Sequence, residues 1–322
     1  MEIRDLYMSS QLHNVISNDL SANMLNHCYM ISGVDEFLLD NFAIFLAKEI
    51  FCVGENKPCL SCINCQKIEH SNMVDLAIYP RGDKSLMTED INEIVNDCLI
   101  RAMENDYKVY ILKNFHLCTI QAQNKILKTL EEPPQNVVFI ITSNNDSLIL
   151  PTIASRAKKI NINLLNKEDC NNILKSLKID NSEILSGMSG GNVSMALNLS
   201  KNADPLNIVK LVINTLLNLR ASNDIIKYSS LILALKKDFV FFLDTMHLVL
   251  RDIIVMSSGK INFEMFNGEI EKLSQMYNKE QIYKISRKIN EIYGKLSFNC
   301  NFSGVVDKFL LDILEVKFLC QK

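Results

Sequence analysis

The sequence predicts an α/β domain built on a parallel sheet, followed by domains made only of helices. Two observations support this prediction. Five short apolar runs in the first half alternate with amphipathic stretches, which is the pattern of repeated βαβ units. Beyond residue 164 the strand pattern ends, and helical periodicity continues to the end of the chain.

The five predicted strands are residues 27–32, 74–79, 108–112, 137–141 and 158–162. Between them, residues 42–50 repeat apolar side chains at helical spacing, and a helix over residues 119–131 is stopped by Pro133 and Pro134. A further helix is predicted over residues 89–103, with Thr88 as its N-cap. Its apolar face consists of Ile91, Ile94, Val95, Cys98 and Leu99.

The second half is predicted to be helical throughout. A first helix starts near Asn166 or Lys167, and a later one covers residues 193–199. The pair Asp204-Pro205 marks a boundary. Beyond it, periodicity predicts helices over residues 206–220, 224–256, 269–293 and 301–319. Three domains are therefore predicted, over residues 1–164, 165–204 and 205–322.

Composition and charge exclude several classes of protein. Hydrophobic residues make up 48% of the 322 residues and charged residues 22%, which fits a well-packed globular protein. The first residues lack the pattern of a signal peptide, so we expect a cytoplasmic protein. The apolar segment 239–256 is interrupted by Asp244, His247, Arg251 and Asp252, which excludes a membrane span. The net charge of −3 gives no sign of a strongly basic DNA-binding surface.

The turn after the first predicted strand resembles a phosphate-binding loop that has lost its ligands. Gly33 follows the strand, as the first glycine of a G-x-x-x-x-G-K-[ST] loop would. The second glycine, the lysine and the hydroxyl residue of that loop are replaced by Leu38, Leu39 and Asp40. Two apolar side chains cannot bind a triphosphate, and a carboxylate repels it.

Two further positions lack the residues of an ATPase. The strand over residues 108–112 should end in acidic residues that hold magnesium and position water, but Lys113-Asn114 follows it instead. A second phosphate-sensing arginine is also missing, since Ser194 occupies the corresponding turn. We therefore predict a chain that binds no nucleotide cofactor.

Four cysteines have the spacing of a structural zinc site: Cys52, Cys59, Cys62 and Cys65. Each x2 spacing lets two sulfurs face one ion, and four protein ligands leave no open position for catalysis. Disulfides or free thiols are the alternative, although disulfides are rare in a reducing cytoplasm. His70 is the best substitute ligand, but a surface role suits it better.

Arg156 is the candidate catalytic residue. It ends the segment Pro151-Thr152-Ile153-Ala154-Ser155-Arg156, which follows the buried strand 137–141. The planar fork of arginine meets phosphate oxygens with two charge-assisted hydrogen bonds. A surface salt bridge is the alternative role for this side chain.

Residues 27–33, 124–134 and 151–156, with the four cysteines, resemble the delta-prime subunits of the bacterial DNA polymerase III clamp loader, AAA+ family members without ATPase activity. The resemblance is close over the first half. The last third resembles a helical collar domain only in its length and helix content. The family's Ser-Arg-Cys motif reads Ser155-Arg156-Ala157 here, which retains the arginine.

This resemblance implies an AAA+ P-loop-type parallel sheet domain over residues 1–164 with a zinc-binding insertion, a small helical lid domain over 165–204 and an all-α collar domain over 205–322. It implies that Arg156 is an arginine finger acting in trans on a neighbouring ATPase subunit. The implied partners are the gamma/tau and delta subunits and, through the assembled complex, the sliding clamp and primer–template DNA.

Two other functions stay open at this point. One is an active AAA+ ATPase subunit of a clamp loader with an unusual loop. The other is a zinc-dependent nucleic-acid-binding protein, which the weak basic balance and the absence of Trp count against.

Overall fold

The computed structural model describes residues 2–82, 86–202, 204–256, 261–296 and 301–319. Two compact units make up the chain. The first comprises Met1–Leu165 and Asn192–Ser194, and the second comprises Asn166–Gly191 and Met195–Lys322. The separation of a lid domain, residues 165–204, from a collar domain, residues 205–322, stays a prediction.

A five-stranded sheet forms the centre of the first unit. Its strands are β1 (Cys28–Ser32), β2 (Leu76–Tyr79), β3 (Lys108–Leu112), β4 (Val137–Ser143) and β5 (Lys158–Asn161). The strand order is β2-β3-β4-β1-β5, and every neighbouring pair is parallel. All five predicted strands and the predicted parallel sheet are confirmed.

Helices cover this sheet, and β1, β3 and β4 are buried along their whole length. Burial of both faces explains why these strands are continuously apolar in sequence. The helices of the first unit are α1 (Ile3–Met8), α2 (Gln11–Ser21), α3 (Glu36–Phe51), α4 (Ile63–Glu69), α5 (Thr88–Asp97), α6 (Ile120–Glu131) and α7 (Pro151–Ala154). Of these, α1, α2, α4 and α7 have no counterpart among the predicted helices.

The predicted helix over residues 89–103 is wrong at both ends. Met87, not Thr88, is the N-cap of α5, and the helix ends at Asp97. Beyond its C-terminal end, the buried carboxylate of Asp75 accepts hydrogen bonds from the amides of Met103 (2.7 Å), Glu104 (2.9 Å) and Asn105 (2.9 Å). These contacts hold residues 103–105 in a loop.

The second unit is helical in the residues that are described. Its helices are α8 (Lys167–Ser176), α9 (Ser182–Met188), α10 (Val193–Asn202, whose first two residues group with the first unit), α11 (Pro205–Asn218), α12 (Ser222–Ala234), α13 (Phe239–Val255), α14 (Asn267–Met276), α15 (Lys279–Leu296) and α16 (Phe302–Leu319). The predicted helix start near Asn166 or Lys167 is confirmed: α8 begins at Lys167, and the side chain of its N-cap Asn166 accepts from the amide of Asp169 at 2.8 Å. One continuous apolar core joins α9 to helices α11–α16.

Two predicted helices of the second unit are wrong because each is two helices. Residues 224–256 divide into α12 and α13, since α12 packs on α16 while α13 packs on α11. Residues 269–293 divide into α14 and α15 at Tyr277, whose backbone is extended. Asn278 and Gln281 exchange side-chain to amide hydrogen bonds of 2.9 Å in both directions, which caps the start of α15.

Among the residues described, no helix combines the length and the apolar character that crossing a membrane requires.

Lys317, on α16, is buried at the end of α11. Its Nζ donates to the carbonyl oxygens of Leu216 (3.0 Å) and Leu219 (3.1 Å), and lies 5.3 Å from the centre of the Tyr277 ring. Burial lowers the pKa of Lys317 from 10.5 to about 8. The folded chain therefore releases this proton at a lower pH than the unfolded chain.

Between these two pKa values the unfolded state binds more protons, so stability should rise with pH. We expect Lys317 to add up to about 1.4 kcal/mol per pH unit to the free energy of unfolding in this range. Urea unfolding at about pH 7.5 and about pH 9.5 measures this gain, which should be smaller in Lys317→Met. Lys272→Met, at an exposed position of the same unit, is the control. Equal pH dependence in all three proteins would contradict the prediction.

Candidate functional site

The turn after β1 occupies the carboxyl edge of the sheet, where parallel α/β sheets bind their ligands. A Cβ atom at Gly33 would lie 2.4 Å from the carbonyl oxygen of Ile162, so only glycine fits here. The Gly33 amide donates to the carbonyl oxygen of Ser143 at 3.1 Å. The predicted order of strand, glycine turn and helix is confirmed, and α3 begins at Glu36.

Asp35 is the N-cap of α3 and is 3% exposed. Its carboxylate accepts from the amides of Phe37 (3.1 Å) and Leu38 (3.4 Å) in the first turn of α3. The amides of Val193 (2.6 Å) and Ser194 (3.2 Å) donate to the same carboxylate. A negative charge therefore lies at the positive end of the α3 dipole.

Ser194 joins this cluster through its side chain. Its hydroxyl donates to Asp35 at 2.7 Å and accepts from the Phe37 amide at 2.6 Å. The residue predicted to replace a phosphate-sensing arginine thus binds a carboxylate of its own chain.

The three positions predicted to have lost phosphate and metal ligands have other contacts. Leu38 and Leu39 are 0% and 1% exposed, so both belong to the apolar core. Asp40 is half-buried, and its Oδ2 lies 2.9 Å from the Nζ of Lys113. A core side chain cannot turn to a ligand without leaving a cavity, which costs about 2–5 kcal/mol for leucine.

Lys113 and Asn114 follow β3 at the same edge of the sheet, as predicted. Asn114 adopts a left-handed conformation with φ 50°, and its amide donates to the side-chain oxygen of Thr142 at 3.0 Å. Lys113 brings an ammonium group to Asp40. In an active site of this type the same space would be held by a magnesium ion between a loop hydroxyl and a strand-end carboxylate.

Arg156 follows α7 and is partly exposed. Its Nη2 donates to the Glu131 carboxylate at 2.6 Å, and its Nη1 donates to the carbonyl oxygen of Thr152 at 2.7 Å. The Arg156 side chain is 33% exposed and that of Glu131 is 48% exposed. An ion pair this exposed contributes about 0–1 kcal/mol, so exchange of Glu131 for another anion would cost little.

Arg156 and the Gly33 turn lie at opposite ends of their strands. Arg156 comes before β5, whereas Gly33 comes after β1, and these two strands are parallel neighbours with Tyr29 opposite Lys158 and Ser32 opposite Asn161. The four residues of β5 span about 13 Å at 3.3 Å per residue. Arg156 is therefore at the wrong edge of the sheet to act on a ligand in the crevice of its own chain.

The four predicted metal ligands come together. Cys52 is the C-cap of α3, Cys62 is the N-cap of α4, and Cys65 lies in the first turn of α4. The Sγ atoms of these three and of Cys59 all lie within 4.8 Å of one another. Four sulfurs at about 2.3 Å from zinc would be about 3.8 Å apart, which the 4.0 Å between Cys52 and Cys62 approaches. His70 is exposed and does not belong to the cluster.

The surroundings favour a thiolate at two of these cysteines. Against the effect of burial, hydrogen bonds from the amides of Cys65 and Val53 lower the pKa of Cys62. Hydrogen bonds from the amide of Cys62 and from Ser61 lower the pKa of Cys59 to about 5. Burial raises the pKa of Cys52 and of Cys65. Because the thiolate is the form that binds a metal, a cation would supply the charge that ionises the two buried thiols.

Two parts of this arrangement were missed in the sequence. Asp35 was recognisable, since an aspartate directly before an apolar helix is a common N-cap. Glu131 gave no signal as the partner of Arg156, because the two are 25 residues apart.

The family model that matches residues 8–166 is described as DNA polymerase III, delta subunit. The chain is 31% identical over 198 residues to the DNA polymerase III subunit gamma of Buchnera aphidicola subsp. Schizaphis graminum, which covers 58% of this chain and 54% of that protein. It is 27% identical over 198 residues to the DNA polymerase III subunit delta′ of Bacillus subtilis, which covers 61% of this chain and 60% of that protein.

In structure, the chain is similar to a DNA polymerase III gamma subunit-related protein from Thermotoga maritima, with a TM-score of 0.45, 17% identity, and coverage of 96% of this chain and 100% of that one. The chain spans between half and two thirds of the length of the two sequence relatives above. The resemblance to a clamp-loader subunit of the AAA+ type is confirmed by the sequence relatives.

Proposed function

We propose that this chain, a clamp-loader subunit of the AAA+ type by its similarity, does not hydrolyse ATP itself and supplies Arg156 in trans to a neighbouring ATPase subunit. The position of Arg156 carries the proposal. It lies at the sheet edge opposite the crevice of its own chain, so a phosphate that it meets lies outside that crevice, as a nucleotide bound to a neighbouring subunit would.

The ion pair with Glu131 fits this role. It holds the guanidinium in place before a partner arrives, and the hydrogen bond to Thr152 fixes the arginine against α7. A γ-phosphate offers two strong acceptors to the planar fork of arginine and would displace the exposed carboxylate. The guanidinium would stabilise the charge that develops on the transferred phosphoryl group.

The contacts in the crevice support the non-catalytic part of the proposal. The α3 amides that would bind a phosphate already bind Asp35, and Lys113 lies on Asp40 where magnesium would be held. The partners would be the gamma/tau and delta subunits, and the sliding clamp and primer–template DNA through the complex. Because bacterial DNA is replicated in the cytoplasm, the proposed role implies a cytoplasmic protein.

Zinc is the metal proposed for the cysteine cluster. Four cysteines whose Sγ atoms lie within 4.8 Å of one another form the donor set of a closed tetrahedral site, and local amides donate to the Sγ atoms of Cys52 and Cys59. With four protein ligands the ion would hold the segment between α3 and α4 and would take no part in catalysis.

The first prediction from this proposal is that Arg156→Ala leaves folding and assembly intact and greatly lowers ATP hydrolysis at the neighbouring site of the reconstituted complex. Arginine fingers are worth roughly 10³ to 10⁵ in rate. Arg156→Lys should restore little, because lysine lacks the planar fork. DNA-stimulated hydrolysis and clamp loading are the measurements.

The matched control is Glu131→Gln, which breaks the same ion pair but keeps the arginine. If Arg156 serves only that ion pair, the two variants should behave alike. We expect Glu131→Gln to retain hydrolysis. Unchanged hydrolysis in Arg156→Ala would show that the residue is only a surface arginine.

The second prediction is that the purified chain binds no ATP at physiological magnesium. Asp35 occupies the amides that would bind a phosphate, and Lys113 occupies the place of the magnesium ion. Calorimetric titration with ATP tests this, with a gamma-type subunit as the positive control. Saturable binding in the micromolar range would instead favour an active ATPase subunit.

The third prediction is one zinc ion per chain, held by Cys52, Cys59, Cys62 and Cys65. Cys62→Ser should lower the zinc content and speed hydrogen exchange locally, over about residues 52–69, while the sheet stays protected. Cys118→Ser, which changes a buried thiol outside the cluster, should keep the metal. Freshly purified protein without zinc would reject the site.

A further inference from the structure

The amides at the start of α3 form an anion site of a common kind. A helix leaves its first four N–H groups without intrahelical partners, and its dipole favours negative charge there. Phosphates bind at such ends after a glycine turn. In this chain the glycine turn is present at Gly33, and α3 is 16 residues long.

The Asp35 carboxylate makes more contacts at this end than capping requires. Two of its hydrogen bonds cap α3, and three come from Val193 and Ser194, which lie more than 150 residues further along the chain. In contrast, the N-caps Thr119 and Asn166 each accept one backbone amide. A side chain that only capped α3 would not need donors from a second segment.

We propose that Asp35 is a built-in anion that occupies the place of a phosphate, so that the crevice excludes nucleotides by being filled. The Lys113 ammonium group, paired with Asp40, occupies the place of the metal cation in the same way. The inference rests on the proposed non-catalytic function, because both treat the Gly33 turn as a phosphate-binding loop that has lost its ligands.

Two explanations of a crevice that binds no nucleotide, filling by Asp35 and closure by Leu38 and Leu39, predict different effects of Asp35→Ala. If Leu38 and Leu39 alone closed the crevice, removing the Asp35 carboxylate would leave the site unable to take an anion. If Asp35 fills it, Asp35→Ala frees amides from two segments together, and these can bind an added anion. Buried amides without partners also destabilise the fold.

The experiment compares the melting temperatures of the full chain and its variants in potassium chloride and in inorganic phosphate at equal ionic strength. Asp35→Ala should melt several degrees below wild type in chloride. Phosphate should raise its melting temperature by at least about 2 °C and leave wild type unchanged. The control Thr119→Ala removes the cap of α6, a helix of the same unit, and should gain nothing from phosphate.

A second variant keeps the test decisive if Asp35→Ala does not fold. Asp35→Asn keeps one oxygen acceptor but loses the charge, so it should melt below wild type and gain nothing from phosphate, since its side chain still fills the site.

A melting temperature equal to that of wild type in chloride, for either Asp35→Asn or Asp35→Ala, would overturn the inference. An equal response to phosphate in Asp35→Ala, Thr119→Ala and wild type would also overturn it. None of them bears on hydrolysis by complexes that carry Arg156→Ala, so this inference and the proposed function can fail separately.

Discussion

The parallel pairing of β1 with β4 on one side and β5 on the other is the constraint on which the candidate site depends. Because all strands run the same way, the segments that follow them meet at one edge, and the segments that precede them meet at the other. Gly33 and Lys113 therefore share the carboxyl edge, whereas Arg156 lies at the amino edge. A single sheet thus separates the crevice from the arginine.

Polar and charged groups of the chain itself fill the crevice at the start of α3. A buried carboxylate is costly unless hydrogen bonds compensate it, and Asp35 receives five. Lys113 and Asp40 neutralise each other. The donors to Asp35 are neutral amides and a hydroxyl, so its negative charge is not cancelled and disfavours the binding of a triphosphate.

The cysteine cluster meets a different physical need. A metal bound by it would hold the segment between Phe51 and Ile63, which carries the exposed apolar side chains of Val53 and Ile63 and contributes few residues to a core. Short segments that cannot bury enough apolar area are commonly held by a metal. Cys52 ends one helix and Cys62 begins the next, so an ion bound there would fix the direction of both.

The sequence by itself determined the five strands, the spacing of the cysteines and the absence of phosphate ligands at Leu38, Leu39 and Asp40, because each of these is a local pattern. Only the tertiary structure decided that Ser194 binds Asp35, which is 159 residues away, and that Glu131 holds Arg156. It also decided that the apolar run 224–256 breaks, since α12 and α13 pack on different helices. Periodicity reports that a face is apolar but not which partner covers it. Charge partners far apart in the chain leave no pattern in the sequence, because only folding brings them together.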